Sequence, residues 1–282
     1  MDKRCDLHIH STFSDSDADL ETIFAQAKSK NLSCIAVTDH DNTDGIEPAQ
    51  VYSKIYGVEL IEAVELSAQH KDTEVHMLGY FIDPKNEKLK LELSNVRNLR
   101  TERLFSMIEK LNSLGLGVDR DELMAKIGET MPTRLHLALY LLQKGRANSL
   151  GEVFRKYLSP GRPAYVSRFK LSVKETIELI KDCGGLSFLA HPHIIPNQGW
   201  IEEFISLGID GLELVYPGMS FAKSSLYKNL AQKFGLLMSG GSDAHGSYKE
   251  FTEIGGVSIP YEWVSQMKES LLKQTQRELT QI

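Results

Sequence analysis

The stretch Cys34-Ile35-Ala36-Val37-Thr38-Asp39-His40 shows a pattern that recurs along the chain. A short apolar run, typical of a buried strand, ends abruptly in side chains that can bind a metal. Five further apolar runs end in the same way, and the polar residues that follow them are His8 and His10, Glu65, His191, Glu213, and Ser242-Asp243 with His245. Because functional residues collect at the carboxyl ends of barrel strands, we expect these side chains to lie together.

Predicted helices separate most of these strands, at residues 20–30, 47–56, 173–182, 201–207 and 220–234. Alternating strands and helices predict an α/β fold built on a parallel sheet. Residues from about 89 to 159 interrupt the alternation, because their apolar residues follow helical spacing throughout. We therefore predict a barrel in two parts, residues 1–88 and 166–282, with a small helical insertion at 89–165 that serves as a lid or substrate domain.

Length and charge exclude several classes of protein. The chain has 282 residues, a formal net charge of -6 and 41% apolar residues, which suits a globular enzyme. A net acidic chain argues against a broad surface for extended duplex nucleic acid. No apolar run approaches the roughly 20 residues that span a bilayer, and the N-terminal residues lack the apolar core of a signal peptide. We therefore expect a cytoplasmic protein with no membrane partner, and the sequence leaves its oligomeric state open.

Imidazole and carboxylate side chains are concentrated at the predicted strand ends and in similar contexts. Six of the nine histidines lie there, and with their acidic neighbours the set comprises His8, His10, His40, His76, His191, His245, Asp15, Asp39, Glu65 and Asp243. Such ligands suit Zn²⁺, Mn²⁺ and Fe²⁺, and their number exceeds one coordination sphere. Clustered carboxylates would repel one another without cations. The sequence therefore predicts a centre with more than one metal ion.

A local excess of positive charge stands out in this acidic chain. Residues 155–170 contain five arginines or lysines and no acid, and Arg134 belongs to the same predicted insertion. A solvated basic face would explain the window, but we favour phosphate capture because arginine donates paired hydrogen bonds to phosphate. His193 follows His191 by two residues and could reach either metal or phosphate, while Glu213 could orient a ligand or form a salt bridge.

The order of these motifs resembles the polymerase and histidinol phosphatase (PHP) superfamily. The matching residues are His8-x-His10-Ser11 with Ser14-Asp15, Thr38-Asp39-His40, Glu65, His76, Ala190-His191-Pro192 and Gly241-Ser242-Asp243-Ala244-His245. The insertion, which contains Pro163-Ala164-Tyr165-Val166, resembles the branch of nucleoside 3',5'-bisphosphate phosphatases and 5'-3' oligoribonucleases. The resemblance implies a distorted (β/α)7 TIM-like barrel that binds up to three divalent metal ions.

The resemblance also implies roles for single residues. One metal would take His8, His10, Glu65 and Asp243, a second would share Glu65 and take His76 and His191, and a third would take Asp15, His40 and His245. Arg134, Arg168 and His193 would bind substrate phosphate. Two positions depart from the family pattern: Ser16-Asp17 follows Asp15 where a glycine is common, so that Asp17 rivals Asp15, and Thr133-Arg134-Leu135-His136 replaces a Gly-Arg-Pro-His run.

The predicted activity is hydrolysis of phosphate esters of small nucleotides, either nucleoside 3',5'-bisphosphates or short 5'-phosphorylated RNA, by water that the metal ions activate. Asp39, His193 or His245 would protonate the leaving oxygen. Mn²⁺, Zn²⁺ and Fe²⁺ all suit the ligands, and Mg²⁺ is a further candidate. The rival hypotheses are a phosphatase of histidinol phosphate or another small molecule, a metal-dependent C–N hydrolase, and a metal-binding module without activity.

Overall fold

The structure is a computed structural model that describes residues 3–128, 130–167, 171–250 and 252–280, with only the backbone described at 277–280. Arg168, which the sequence predicts to bind phosphate, lies outside the described residues. Within the described part, no helix is both long enough and apolar enough to cross a lipid bilayer.

One barrel-like sheet organises the chain. Its strands are β1 (Arg4–Ile9), β2 (Leu32–Val37), β3 (Glu59–His70), β4 (Thr73–Tyr80), β5 (Leu171–Ser172), β6 (Leu186–Leu189), β7 (Gly211–Val215), β8 (Leu237–Gly240) and β9 (Ile259–Pro260). The strand order is β8-β7-β6-β4-β3-β2-β1-β9, and β5 pairs with β3. Backbone contacts bring the residues after β8 back to β1, where the Asp243 amide donates to the His8 carbonyl at 2.7 Å. The predicted α/β barrel is therefore confirmed.

The expectation of a wholly parallel sheet is wrong for β4. Strand β4 runs antiparallel to both β3 and β6, because β3 and β4 form a hairpin in which His70 pairs with Thr73. Only Lys71 and Asp72 lie in the turn, and Lys71 adopts a φ of +53°. Two-residue turns with a positive φ at the first turn residue usually carry glycine there, so that Lys71-Asp72 was not recognisable as a hairpin turn. The short β9 is also antiparallel, to β1.

Helices cover the barrel and build the insertion. They are α1 (Leu20–Ser29), α2 (Ile46–Tyr56), α3 (Glu87–Ser113), α4 (Arg120–Ile127), α5 (Arg134–Gln143), α6 (Leu150–Val153), α7 (Val173–Asp182), α8 (Gly199–Ser206), α9 (Phe221–Phe234) and α10 (Tyr261–Thr280). Side-chain caps define several helix starts; in α7, Ser172 and Glu175 form a reciprocal capping box. Each predicted inter-strand helix is present, with ends within two residues of the expected positions.

The insertion has apolar packing of its own. Leu104, Met107 and Leu111 of α3 pack with Leu141 of α5 and with Leu158 in one buried cluster. A different cluster, which includes Leu7, Ile61 and Phe188, fills the barrel interior. The division into residues 1–88, 89–165 and 166–282 stays a prediction, and the separate packing of the insertion favours it.

Candidate metal centre and active site

A pair of histidines at the end of β1 begins the site. His8 and His10 are both fully buried, and alternation along the strand directs their rings to the same side. The Nε2 atoms of His8 and His10 lie 3.3 and 3.1 Å from Oε2 of Glu65. The same two nitrogens lie 3.4 and 3.1 Å from Oδ1 of Asp243. Four side chains from three separate parts of the barrel thus point their donor atoms at one position.

Glu65, on β3, is the residue that the most imidazoles approach. Besides His8 and His10, its Oε2 lies 3.2 Å from Nδ1 of His40. Its Oε1 lies 3.0 Å from Nδ1 of His76 and 3.1 Å from Nε2 of His191. The Glu65 carboxylate therefore lies between two sets of histidines. Its Oε2 is directed to His8, His10 and His40, and its Oε1 is directed to His76 and His191.

Asp15 forms the third part of the site. Its Oδ1 lies 3.4 Å from Nε2 of His245 and 3.6 Å from Nδ1 of His10, and its Oδ2 lies 3.8 Å from Nε2 of His40. The rival Asp17 turns elsewhere, because its Oδ1 accepts a hydrogen bond of 2.7 Å from the Ser247 amide. The geometry therefore favours Asp15 over Asp17 as the ligand in this loop.

The donor atoms fall into three groups that could each hold a metal ion. The groups are His8 with His10, Glu65 and Asp243; His40 with Glu65 and His76; and His10 with Asp15, His40 and His245. They differ from the sets that the resemblance implies in two respects: His40 stands in the second group where His191 was expected, and His10 joins the third group. His191 nevertheless lies beside it, in contact with Glu65.

Unsatisfied polar atoms show that these residues fit bound cations. Among the described residues, His8 Nε2, His10 Nε2, His40 Nδ1, Glu65 Oε2 and Asp15 Oδ1 are buried and lack hydrogen-bond partners. Leaving such atoms unpaired in a protein interior is costly, and native structures rarely do so. Divalent ions at these positions would satisfy all of them. The imidazole and carboxylate donor set suits such ions.

The pKa shifts in the site also favour bound cations. Burial by itself lowers the pKa of His10, but the nearby carboxylates of Asp243 and Glu65 raise it to about 9. Burial lowers the pKa of the neighbouring His40 to about 3, even though Glu65 and Asp15 oppose the change. Burial would raise the pKa of Glu65, yet the surrounding imidazoles hold it well below its ordinary value. The buried carboxylates thus attract positive charge to this position, and divalent cations would supply it.

A fully buried carboxylate orients two of the histidines. Oε1 of Glu213 lies 2.9 Å from Nδ1 of His8, and Oε2 accepts a 2.6 Å hydrogen bond from the His191 amide. Carboxylates behind metal-binding histidines fix the tautomer, so that the opposite ring nitrogen is free to bind. Of the two roles that the sequence left open for Glu213, the geometry favours orientation of a ligand.

The backbone has an unusual conformation just after β6 and β8. His191 and Asp243 have φ angles of +30° and +49°, which residues other than glycine rarely adopt, and such strain is concentrated at functional sites. Gly241 lets the loop after β8 approach β1, because a Cβ atom there would lie 2.3 Å from the His8 nitrogen. The buried Asp6 accepts a hydrogen bond of 2.8 Å from the Ser242 amide and holds this loop in place.

The three predicted proton donors lie in different surroundings. Both oxygens of Asp39 accept hydrogen bonds from Ser11, in the loop that carries Asp15. The Ser11 amide donates to Oδ1 at 2.8 Å, and the Ser11 hydroxyl donates to Oδ2 at 2.6 Å. His245 lies within the third group of donors. The ring of His193 lies 4.7 Å from that of Tyr216, and its Nδ1 is buried without a partner among the described residues. Their roles in proton transfer stay predictions.

A cluster of arginines lies directly beside the metal-binding groups. A cavity of about 140 Å³ is lined by Asp15, His40 and His76 and by Arg100, Arg103 and Arg134, with Glu74 as a further acid. Burial lowers the pKa of Arg103 to about 10, and the positive charge of Arg134 contributes. In the described part of the chain, Arg103 and Arg134 donate to the carbonyls of Val166 and Leu158 rather than to carboxylates. Two guanidiniums that repel each other beside a cavity favour an anionic ligand.

Sequence reasoning missed several residues of the site. Arg100 and Arg103 lie one turn apart on α3, far in sequence from every recognised motif, and their helical spacing was the only available signal. Tyr216 and Lys249 were also missed: Oδ2 of Asp243 accepts a 2.7 Å hydrogen bond from the Tyr216 hydroxyl and a second one from Lys249. Neither belongs to the family motifs, and both were found only through the fold.

A barrel whose strand ends gather histidines and carboxylates around unpaired donor atoms defines a metal-dependent hydrolase. Residues 6–182 match the family model described as PHP domain, and the chain belongs to this family. It is 31% identical over 250 residues to a 5'-3' exoribonuclease of Haemophilus influenzae, an alignment that covers 87% of this chain and 91% of that protein. It is 30% identical over 256 residues to a 3',5'-nucleoside bisphosphate phosphatase of Chromobacterium violaceum, covering 89% and 90%.

A solved structure gives the same class. A crystal structure from Bifidobacterium adolescentis, described as that of a metal-dependent phosphoesterase, superposes with a TM-score of 0.86 at 28% identity and covers 93% of this chain and 94% of that chain. The chain is therefore a metal-dependent phosphoesterase. The predicted family and enzyme class are confirmed.

Proposed function

We propose that this phosphoesterase hydrolyses phosphate esters of small nucleotides, either nucleoside 3',5'-bisphosphates or short 5'-phosphorylated RNA. The observation that carries the proposal is the cavity in which Arg103 and Arg134 face the metal-binding groups. It provides positive charge for a phosphate beside the side chains that would hold the ions. Relatives named as a bisphosphate phosphatase and an exoribonuclease support the choice of nucleotides as the substrate class. A net charge of -6 argues against an extended duplex as a partner.

We propose three divalent ions, Mn²⁺, Zn²⁺ or Fe²⁺ with Mg²⁺ as a further candidate, one for each group of donors. The ligands would be His8, His10, Asp15, His40, Glu65, His76, His191, Asp243 and His245. When bound, such ions lower the pKa of water and neutralise charge on the phosphoryl group.

The side chains of the protein bind, orient and exchange protons around that centre. Arg134 and Arg103 would bind the non-bridging oxygens of the phosphate, where charge spreads as the ester bond breaks. Glu213 holds His8 and His191 in the orientation that they need. We favour His193 as the donor of a proton to the leaving oxygen, because Asp39 is engaged by Ser11 and Ser14. The insertion, residues 89–165, would serve as the substrate domain, since it supplies the arginines.

A panel of substrates tests this function. With Mn²⁺ supplied, we expect phosphate release from adenosine 3',5'-bisphosphate or from 5'-phosphorylated RNA of a few nucleotides, with a kcat/KM at least about tenfold above that for histidinol phosphate. Treatment with a chelator should abolish turnover, and re-addition of the ion should restore it. Preference for histidinol phosphate, or full turnover by protein shown to be free of metal, would contradict the proposal.

Arg134→Met is expected to lower kcat/KM for the nucleotide substrate by roughly 10- to 100-fold, because a hydrogen bond to a charged group contributes about 1.5–3 kcal/mol. Steady-state kinetics over a range of substrate concentrations would measure the change. Arg146→Met removes an exposed arginine elsewhere in the insertion and serves as the control. Equal kinetics for the two variants would exclude Arg134 from phosphate binding.

A further inference from the structure

A second cavity adjoins the metal-binding groups. It has a volume of about 360 Å³, and it shares Asp15 and Leu135 with the arginine-lined cavity. Its other walls come from α4 and α5 of the insertion, from the loop that contains Ser14 and Asp17, and from Tyr248 after β8. The volume lies within the range of roughly 300–1,000 Å³ that is usual for small-molecule sites.

One part of the wall of this cavity is apolar and is formed by α4 and α5. Leu135 and Leu139 lie one turn apart on α5, and both are half-buried although leucines of the same helix pack fully inside the insertion. Leu123 and Ile127 of α4 also line the cavity. Leu123 and Ile127 are packed in the core of the insertion, whereas Leu135 and Leu139 leave apolar surface at the cavity that an apolar ligand face would cover.

Polar groups border the apolar walls. Nζ of Lys126 donates to Oε1 of Gln143 at 3.1 Å, and both side chains line the cavity. Thr130 adds a hydroxyl. These groups offer hydrogen-bond donors and acceptors to the edge of a ligand whose faces are apolar.

Charge distinguishes the two cavities. The arginine-lined cavity has three guanidiniums beside the carboxylates of Asp15 and Glu74, whereas the second cavity has one lysine beside those of Asp15 and Asp17 and is therefore less suited to a second anion. Asp17 also bonds to the Ser247 amide at 2.7 Å, which links the loop after β1 to the loop after β8 at this wall. A ligand that occupies both cavities therefore has an anionic part and an uncharged, flat, amphipathic part.

We propose that the second cavity receives the nucleobase of the substrate, with its faces against Leu135, Leu139 and Tyr248. The proposal rests on the proposed function and adds to it the residues that recognise the base. Nucleobases have apolar faces and hydrogen-bonding edges, which matches the walls and the border of this cavity. The insertion would then contribute both the phosphate-binding arginines and the base-binding surface.

Leu139→Trp fills the cavity and tests the proposal. We expect kcat/KM for adenosine 3',5'-bisphosphate to fall about tenfold or more, because stacking of a base contributes substantially to binding. Turnover of ribose 5-phosphate, which has no base, should stay unchanged. Leu226→Trp, at a half-exposed leucine of α9, is the matched control and should behave as the wild type with both substrates.

Binding of adenosine to metal-free protein, followed by calorimetry, gives a readout independent of catalysis. We expect the wild type and Leu226→Trp to bind adenosine, and Leu139→Trp and the smaller change Leu139→Ser to bind it at least about fivefold more weakly. Equal adenosine binding by all four proteins, with normal hydrolysis of the bisphosphate, would overturn the base site and leave the proposed function intact. If the wild type bound adenosine but hydrolysed no nucleotide, the proposed function would fail while the base site stood.

Discussion

Glu65→Gln is expected to lower kcat/KM for phosphate release by about 10³-fold or more and to reduce the amount of metal bound to the protein. The carboxylate lies within 3.3 Å of imidazole nitrogens from five histidines and belongs to two of the three groups of donors. An amide of the same shape removes a negative charge and one anionic ligand oxygen. Metal ions contribute several kcal/mol to such reactions, and each 1.36 kcal/mol changes the rate tenfold.

Elemental analysis and phosphate-release kinetics on the same preparation would measure both effects. Glu62→Gln, three residues earlier on β3, is the matched control, because that carboxylate bonds to Gln50 at 2.6 Å away from the site. We expect the control to keep its metal and its activity. Glu65→Gln protein with the wild-type metal content and turnover would remove Glu65 from the centre, and with it the proposed arrangement of ions.

The sequence carried most of the information about the candidate metal ligands. His8, Glu65, His191 and Asp243 each follow or end a short apolar run, and parallel strands bring such positions to one edge of a barrel. His76 is different, because it lies within β4 and reaches the site through the hairpin with β3. A ligand-like context and its place in the family pattern identified it, since it follows no apolar run in the sequence.

The side chains that would surround the substrate were harder to predict. Arg100 and Arg103 belong to a helix whose other faces pack against the insertion, and Lys249 lies in a loop, so that nothing local separates them from surface charges. Their positions depend on how the insertion packs beside the barrel. That packing is set by long-range contacts, which a pattern of neighbouring residues does not contain. The candidate metal ligands repeat a local motif, whereas the candidate substrate contacts are assembled by the tertiary fold.

Arg100→Met is expected to destabilise the protein by about 3–5 kcal/mol, because it removes the buried guanidinium that pairs with the buried carboxylate of Asp41. The side chain of Arg100 is 8% exposed and that of Asp41 2%. Nε of Arg100 donates to Oδ2 of Asp41 at 3.0 Å, and its Nη2 contacts Ser67 on β3 at 3.2 Å. The guanidinium thus joins α3 of the insertion to two parts of the barrel. Thermal unfolding should show a melting temperature lower by roughly 10 °C.

A double-mutant cycle separates the loss of the ion pair from the loss of packing. Asp41→Asn keeps an acceptor for the Ser67 amide, which donates to Oδ1 of Asp41 at 2.7 Å, but removes the charge that needs a partner. We therefore expect the double variant Arg100→Met/Asp41→Asn to recover at least about half of the stability that Arg100→Met loses, a coupling typical of residues in direct contact. Arg146→Met, at an exposed position, should change stability by no more than about 0.5 kcal/mol. If the double variant lost as much stability as the two single variants lose together, Arg100 would act through packing alone. The ion pair with Asp41 would then not be the contact that holds the insertion against the barrel.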